Sequence, residues 1–113
     1  MEHQGKWLEE FLASRKHYDQ EGPEVWRRTL QAYRAAFADG VITSRYKHLM
    51  AVCIGIREQC PPCTIGHVRA ALEAGATKDE LLEVIGVTLS MCGTGAMGGA
   101  WRVLKLMEEE QMF

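Results

Sequence analysis

The stretch Cys60-Pro61-Pro62-Cys63 constrains the fold of this chain more than any other part of the sequence. A residue before proline avoids the α region, and proline itself suits the first turn of a helix. We therefore expect a helix that begins at Pro61 or Pro62, with Cys60 at or beside its N-cap and Cys63 in its first turn. Both sulfurs then lie near unpaired backbone N–H groups, which lower the pKa of a thiol.

His67 follows Cys63 by four residues, so the two side chains share one helix face with Cβ atoms about 5–6 Å apart. An imidazole in this position can accept the thiol proton or donate a proton to a leaving oxygen. A disulfide between Cys60 and Cys63 would close a small ring of the kind found in redox-cycling pairs. The pattern therefore predicts a thiol redox site.

Composition and length narrow the remaining classes of function. The chain has 113 residues and a formal charge of −2, which predicts a single domain, residues 1–113, without general attraction to nucleic acid or anionic membranes. No apolar run approaches the ~20 residues of a membrane span, and residues 1–6 lack the apolar core of a secretory signal. We therefore expect a cytoplasmic protein, in which cysteines are metal ligands, catalytic groups or buried side chains rather than structural disulfides.

Apolar residues recur at helical spacing along the chain and predict an all-α fold, a compact bundle of about six helices without a convincing strand. The third helix is apolar nearly all round, which predicts burial on several sides. Thr77 and Glu80 form a capping-box pattern at the start of the fifth helix.

Local sequence signals also predict where the helices begin and end. The predicted boundaries are a break at Gly22-Pro23, a left-handed cap at Gly40, a third helix from Thr43 or Ser44 to about Gln59, an end at Ala74-Gly75 of the helix that begins at the cysteines, a glycine-rich non-helical run over 91–100, and a last helix from Ala100 to about Glu110.

Three motifs together resemble the AhpD-like/carboxymuconolactone decarboxylase family. They are Lys47-His48-Leu49-Met50-Ala51-Val52, the pattern Cys60-x-x-Cys63-x-x-x-His67, and Ala74-Gly75-Ala76-Thr77. The resemblance covers roughly residues 41–110 and implies an all-helical fold that assembles as trimers or hexamers.

The resemblance also implies a function for the thiol pair. It points to the alkylhydroperoxidase-like branch, whose members reduce peroxides or protein disulfides, and makes Cys63 the peroxide-attacking thiolate and Cys60 the resolving cysteine. His67 assists proton transfer in this scheme. The helix-start argument instead favours Cys60 as the more exposed and more acidic thiol, whereas the nearby imidazole favours Cys63, and the sequence leaves both assignments open. The decarboxylase branch generally lacks the thiol pair, so we expect no decarboxylase activity.

One position departs from the family pattern. The family usually has a glutamate of the proton relay twelve residues before the first cysteine, and this chain has His48 there. Twelve helical residues span about 18 Å, so His48 reaches the thiols only if the third helix crosses back over them, or from another subunit. Glu58, two residues before Cys60, is the alternative relay residue.

Two other functions are compatible with these residues. Cys53, Cys60, Cys63 and His67 could supply a Cys₃His zinc set, or the chain could be a non-catalytic oligomer. No flavin, haem or nicotinamide motif is visible, so the redox hypothesis involves no cofactor and takes its electrons from an external dithiol, either a protein or a small thiol. Cys53 and Cys92 otherwise suit buried positions, and Glu108, Glu109 and Glu110 suit a solvated helix end.

Overall fold

The computed structural model describes residues 1–113 and confirms the all-α prediction, with six α-helices and no strand. No helix combines the length and the apolar composition that a membrane crossing requires. The helices are α1 (Gln4–Glu21), α2 (Glu24–Phe37), α3 (Ser44–Arg57), α4 (Pro61–Glu73), α5 (Lys78–Cys92) and α6 (Met97–Glu109), with a 3₁₀ turn at Thr94–Ala96.

The start of α4 follows the local signals in the sequence. Cys60 is the N-cap in an extended conformation, Pro61 is the first helical residue, and the Cys63 N–H donates to Cys60 Sγ over 3.3 Å. The capping box of α5 is also formed, because the Glu80 N–H donates to Thr77 Oγ1 over 3.1 Å and the Thr77 N–H donates to Glu80 Oε1 over 2.9 Å. Both helix starts are therefore confirmed.

The helices α3 and α4 pack closely and place the cysteine pair. The chain reverses after Arg57, two residues earlier than predicted, and Gln59 adopts a left-handed φ of 53° in the turn. A Cβ at Gly55 would lie 2.9 Å from both the backbone nitrogen and the Oγ1 of Thr64. The Thr64 hydroxyl is buried and donates to the Cys60 carbonyl over 3.0 Å. This contact fixes the first turn of α4 against α3.

The hydrophobic core lies between α3, α4, α5 and α6. The buried side chains recur at helical spacing along these helices. The helix α1 covers one side of the core with Leu8. The core residues that are completely or almost completely buried are Leu8, Val52, Ile56, Ile65, Val68, Ala71, Leu81, Ala100, Val103, Leu106 and Met107.

The carboxylate of Glu109 anchors the first turn of α1, which corrects the prediction of a solvated acidic end. The Gln4 N–H donates to Glu109 Oε2 over 2.7 Å, and the Gly5 N–H donates to Oε1 over 2.9 Å. Free N–H groups at a helix start attract a carboxylate strongly, so this residue is drawn into the structure. Glu108 and Glu110 are exposed as predicted.

The connection between α2 and α3 differs from the prediction. The helix α2 ends at Phe37, and Gly40 is not left-handed. Thr43 occupies the N-cap of α3, but the Ser44 N–H is satisfied by the Asp39 carboxylate over 2.7 Å. Because the Asp39 side chain closes this turn, no left-handed glycine is needed.

The glycine-rich run is more helical than predicted. The helix α6 begins at Met97, so Gly98 and Gly99 are helical. A Cβ at Gly99 would lie 3.0 Å from Ile56 Cγ2, which shows that glycine here permits close packing of α6 on α3. Within residues 91–100, only residues 93–96 are not α-helical.

Several apolar side chains stay outside the core of the single chain. The helix α2 has no fully buried residue. The prediction that α3 is buried on several sides is wrong for one chain, because Met50 and Ile54 are exposed. Cys53 and Cys92 are half-buried rather than fully buried.

Candidate functional site

The two cysteines at the start of α4 form a disulfide. Cys60 and Cys63 are bonded, with their Cα atoms 5.2 Å apart. Cys60 is half-buried and Cys63 is exposed, so the prediction that Cys60 is the more exposed thiol is wrong. The pair therefore occupies the first turn of a helix at the protein surface, in the position that the sequence predicts.

His48 and His67 meet beside this turn. The Nδ1 atoms of the two imidazoles lie 2.9 Å apart, because α3 returns over α4 in the same chain. His48 therefore contacts His67, the imidazole on the helix of the cysteine pair, without a second subunit. The family glutamate is replaced here by an imidazole in direct contact with His67.

Tyr33 completes the cluster and was not identified from the sequence. Its hydroxyl lies 2.8 Å from His67 Nε2. Phe37, one turn later on α2, stacks on both imidazoles with ring centroids 4.7 Å from His48 and 4.9 Å from His67. The i, i+4 spacing of Tyr33 and Phe37 predicts a shared face but does not indicate which residues that face meets.

The environment of the cluster keeps both imidazoles neutral at neutral pH. Burial lowers the pKa of His67 to about 4, and the proximity of His48 adds to that shift. Burial also lowers the pKa of His48, while Glu73 opposes the change. Burial raises the pKa of Tyr33, so its hydroxyl stays protonated.

Neutral rings require a defined order of donors in this cluster. A hydrogen bond between two Nδ1 atoms needs one proton, so either His67 or His48 donates. If His48 donates, His67 carries its proton on Nε2 and donates to Tyr33; if His67 donates, the Tyr33 hydroxyl donates to Nε2. The three groups therefore form a chain that can move a proton by exchanging tautomers. Both nitrogens of His67 are engaged, so neither is free to bond a sulfur in this disulfide form.

A cavity of about 530 Å³, here called the histidine cavity, connects the cluster with Cys63. Leu8 and Phe11 of α1 and Leu30 of α2 contribute apolar walls. Its polar lining comes from the Tyr33–His67–His48 chain and from charged residues. The charged residues of its lining are Arg15, Arg34, Arg69 and Glu73. The cavity thus combines apolar space, a sulfur and a proton path.

Two predicted residues lie elsewhere. Glu58 is exposed at the C-cap of α3 and lines neither this cavity nor the one beside Cys60. Cys53 Sγ lies 4.0 Å from the Val84 carbonyl oxygen. No three His, Cys, Asp or Glu side chains converge in a metal-binding arrangement, so the Cys₃His set considered above is not formed.

Comparisons with known proteins agree with this architecture. The model of the carboxymuconolactone decarboxylase family matches residues 23–106. A Paracoccus denitrificans protein, described as uncharacterised protein 4 in the cox locus, is 37% identical over 76 residues, which are 67% of this chain and 68% of that relative. An uncharacterised Cupriavidus necator protein is 35% identical over 65 residues, 57% of this chain and 58% of its own.

Solved structures show the same fold. The crystal structure of an apo carboxymuconolactone decarboxylase family protein from Legionella pneumophila has a TM-score of 0.86 and 26% identity, covering 94% of this chain and 95% of that chain. A Thermotoga maritima family member, whose description suggests involvement in an antioxidative response, has a TM-score of 0.82 and 20% identity, covering 93% and 91%. The second likeness concerns the fold alone.

Proposed function

Because the chain belongs to the carboxymuconolactone decarboxylase family and carries a bonded Cys60–Cys63 pair beside an imidazole cluster, we propose that it is a thiol-dependent peroxidase of the alkylhydroperoxidase-like type. The observation that carries the proposal is the position of this pair at the start of α4, next to the cavity lined by Tyr33, His48 and His67. The fold alone would not carry it, since one fold hosts many activities.

The proposed cycle begins and ends with both cysteines reduced. The Cys63 thiolate attacks one peroxide oxygen, the O–O bond breaks, and the departing oxygen leaves as an alcohol or water after taking a proton. Cys63 is then a sulfenic acid. The Cys60 sulfur displaces the hydroxyl as water and forms the disulfide. An external dithiol returns two electrons and two protons by exchange.

Cys63 is the attacking sulfur in this proposal for two reasons. It is exposed, and it lines the histidine cavity, whereas Cys60 is half-buried and does not line that cavity. Cys63 also lies in the first turn of α4, where the positive end of the helix dipole favours a thiolate. Cys60 at the N-cap is then the resolving cysteine.

In the proposed proton path, His67 passes a proton between neighbours and does not become a charged imidazolium. With a pKa of about 4 it is a neutral link between Tyr33 and His48 at neutral pH. The Tyr33 hydroxyl protonates the leaving oxygen and regains a proton from His67 Nε2. His67 in turn takes a proton on Nδ1 from His48, whose Nε2 takes one from solvent, so each ring stays neutral after the transfer.

The histidine cavity supports an organic peroxide as substrate. Its volume of about 530 Å³ is within the usual range for small-molecule pockets, about 300–1,000 Å³, and its apolar walls suit a hydrocarbon body. The proposal further includes an external dithiol reductant, self-association as a trimer or hexamer, and a cytoplasmic location where cellular thiols supply electrons.

The test is peroxide consumption in the presence of dithiothreitol, with Cys60→Ser and Cys63→Ser compared with Cys92→Ser. We expect turnover to be lost in the first two variants and retained in the third. Mass spectrometry after mild oxidation should link residues 60 and 63 in the wild-type protein. Unchanged turnover in both site variants would rule the proposal out.

A further inference from the structure

The two cysteines of the disulfide line different cavities. Cys63 lines the histidine cavity, and Cys60 lines a second cavity of about 370 Å³ formed between the α3–α4 turn, the 3₁₀ turn and the start of α6. Neither cysteine lines both cavities. The peroxide reaction proposed above uses only the first cavity and leaves the second without a role.

The second cavity is kept open by glycines, and we call it the glycine cavity. Gly95 and Gly98 line it, and a Cβ built on either residue meets no atom within 4 Å. Both have ordinary backbone angles, so their conformation does not require glycine. Larger side chains at these positions would enter the open space beside Cys60. Trp101 and Arg102 line the same cavity.

We propose that the glycine cavity is the binding site for the reductant, a small aliphatic dithiol that attacks the disulfide at Cys60. This inference rests on the redox cycle proposed above. A volume of about 370 Å³ accommodates a dithiol of a few carbon atoms, whereas a folded thiol protein could present only a protruding group to it. The peroxide and the reductant then reach the same disulfide from separate cavities.

The reduction balances in two exchange steps. One thiolate of the reductant attacks Cys60 Sγ, the Cys60–Cys63 bond breaks, and Cys63 leaves as a thiolate. The second thiol of the reductant loses its proton and attacks the reductant sulfur that is bonded to Cys60. This attack releases Cys60 as a thiolate. The dithiol is oxidised to a disulfide, and its two electrons and two protons reduce the protein pair.

Attack at Cys60 makes Cys63 the first leaving group and Cys60 the second. The first leaving group, Cys63, is released directly into the histidine cavity, where it is ready for the next peroxide. The second leaving group, Cys60, has the Cys63 N–H within 3.3 Å of its sulfur, and such a donor stabilises a departing thiolate. Each step therefore releases a sulfur whose surroundings favour the anion.

The first experiment measures the two half-reactions separately in Gly98→Leu, with Gly86→Leu as the matched control. Gly86 is an exposed helical glycine with no atom within 4 Å of an added Cβ, and it lines neither cavity. Protein oxidised with diamide is reduced by dithiothreitol, and prereduced protein is oxidised by cumene hydroperoxide. We expect Gly98→Leu to slow reduction about tenfold or more because access to the sulfur is blocked, with oxidation unchanged.

Equal reduction rates in Gly98→Leu and Gly86→Leu would overturn the inference. Gly95→Leu is the second blocking variant if Gly98→Leu does not fold, as judged by its unfolding transition. Diamide forms the disulfide without peroxide, so the reduction step can be measured even if peroxide oxidation fails. Failure of the peroxide reaction would therefore refute the proposed function, while the rate of disulfide reduction would still test the glycine cavity.

The second experiment identifies the attacked sulfur. Oxidised wild-type protein is mixed briefly with glutathione, a monothiol that cannot close a disulfide with itself, and an excess of N-ethylmaleimide over all thiols is then added to stop the exchange and label the freed cysteine. We expect peptide mass spectrometry to find glutathione on Cys60 and the maleimide on Cys63. The reverse labelling would refute attack at Cys60.

Discussion

Tyr33 is the residue whose removal tests the proton path most directly. Tyr33→Phe keeps the aromatic ring beside Phe37 and removes the hydroxyl that lies 2.8 Å from His67 Nε2. We expect the rate of cysteine oxidation by cumene hydroperoxide to fall about 100-fold or more, as is typical for the loss of a positioned proton donor. Stopped-flow measurement of kcat/KM for this half-reaction gives the value.

The control for Tyr33 is Tyr18→Phe. Tyr18 is an exposed tyrosine on α1 that contacts Trp26 and lines neither cavity. It should leave oxidation unchanged. Reduction of the disulfide by dithiothreitol should be the same in both variants, since Tyr33 is assigned only to the peroxide step. An oxidation rate in Tyr33→Phe equal to that of wild type contradicts the assignment.

The lowered pKa of His67 makes a prediction about stability and pH. The unfolded chain binds a proton on this imidazole below about pH 6.5, whereas the folded chain does so only near pH 4. The unfolded state therefore binds more protons between these values, and the free energy of unfolding decreases as the pH falls through this window. Above pH 6.5 this contribution is fully present.

We expect the loss attributable to His67 to be roughly 1–2 kcal/mol, because partial exposure to solvent screens part of the full effect of the shift. Urea unfolding of wild type and His67→Gln at several pH values isolates it as the difference in slope between pH 4 and 6.5. His17→Gln, on the exposed face of α1, should keep the wild-type slope. Parallel curves for wild type and His67→Gln would disprove the prediction.

His48 offers the opposite change. His48→Glu places the carboxylate of the family pattern beside His67, and a carboxylate stabilises an imidazolium. We expect NMR titration to show a higher pKa for His67, and we expect faster cysteine oxidation by peroxide. An increased pKa without a faster reaction would remove His48 from the proton path.

At the scale of elements, the contact between α3 and α4 decides where the disulfide lies. Gly55→Ala would place a Cβ 2.9 Å from the backbone nitrogen of Thr64, so α4 must move away from α3. We expect a loss of about 1–3 kcal/mol in the free energy of unfolding, measured with urea. Gly86→Ala, which meets no atom within 4 Å, should instead gain about 0.5–1 kcal/mol. A Gly55→Ala protein as stable as wild type would contradict this account of the packing.

The sequence predicts the starts of helices, but it does not predict which side chains of different helices meet. The starts of α4 and α5 depend on neighbours within a few residues, such as Cys60 with Cys63 and Thr77 with Glu80, so local chemistry predicted them correctly. The bond from Tyr33 to His67 spans 34 residues, and the bond from Gln4 to Glu109 spans 105. Such contacts depend on how helices pack, which no local pattern specifies.

His48 lies between these two cases. The sequence stated that His48 could reach the thiols only if the third helix crosses back over them, and the short turn after Arg57 brings His48 to His67 instead. Glu58 is adjacent to the cysteines in sequence but lies on the outside of the turn. Glu58 was therefore a wrong choice although it is close in sequence, because the helix end turns it away from the site. His48 is distant in sequence but close to His67 in the fold.

At the scale of the whole molecule, apolar side chains left outside the core predict self-association. Met50 and Ile54 form an i, i+4 pair on α3 with 47% and 62% of each residue exposed. Val87 and Met91 repeat this spacing on α5 with 60% and 82% exposed. Clusters of exposed apolar side chains often mark an interaction site, and a closed homo-oligomer is the commonest way to cover them.

We expect size-exclusion chromatography with light scattering to find a trimer or hexamer, and Ile54→Glu to shift it to smaller species because the buried charge would lack a partner. Gln20→Glu adds the same charge on the exposed part of α1 and should leave the assembly intact. The Tyr33–His67–His48 chain forms within one subunit, so the dissociated variant should keep cysteine oxidation near the wild-type rate. A wild-type protein that elutes as a monomer would refute self-association, and loss of oxidation on dissociation would show that the peroxide step depends on assembly.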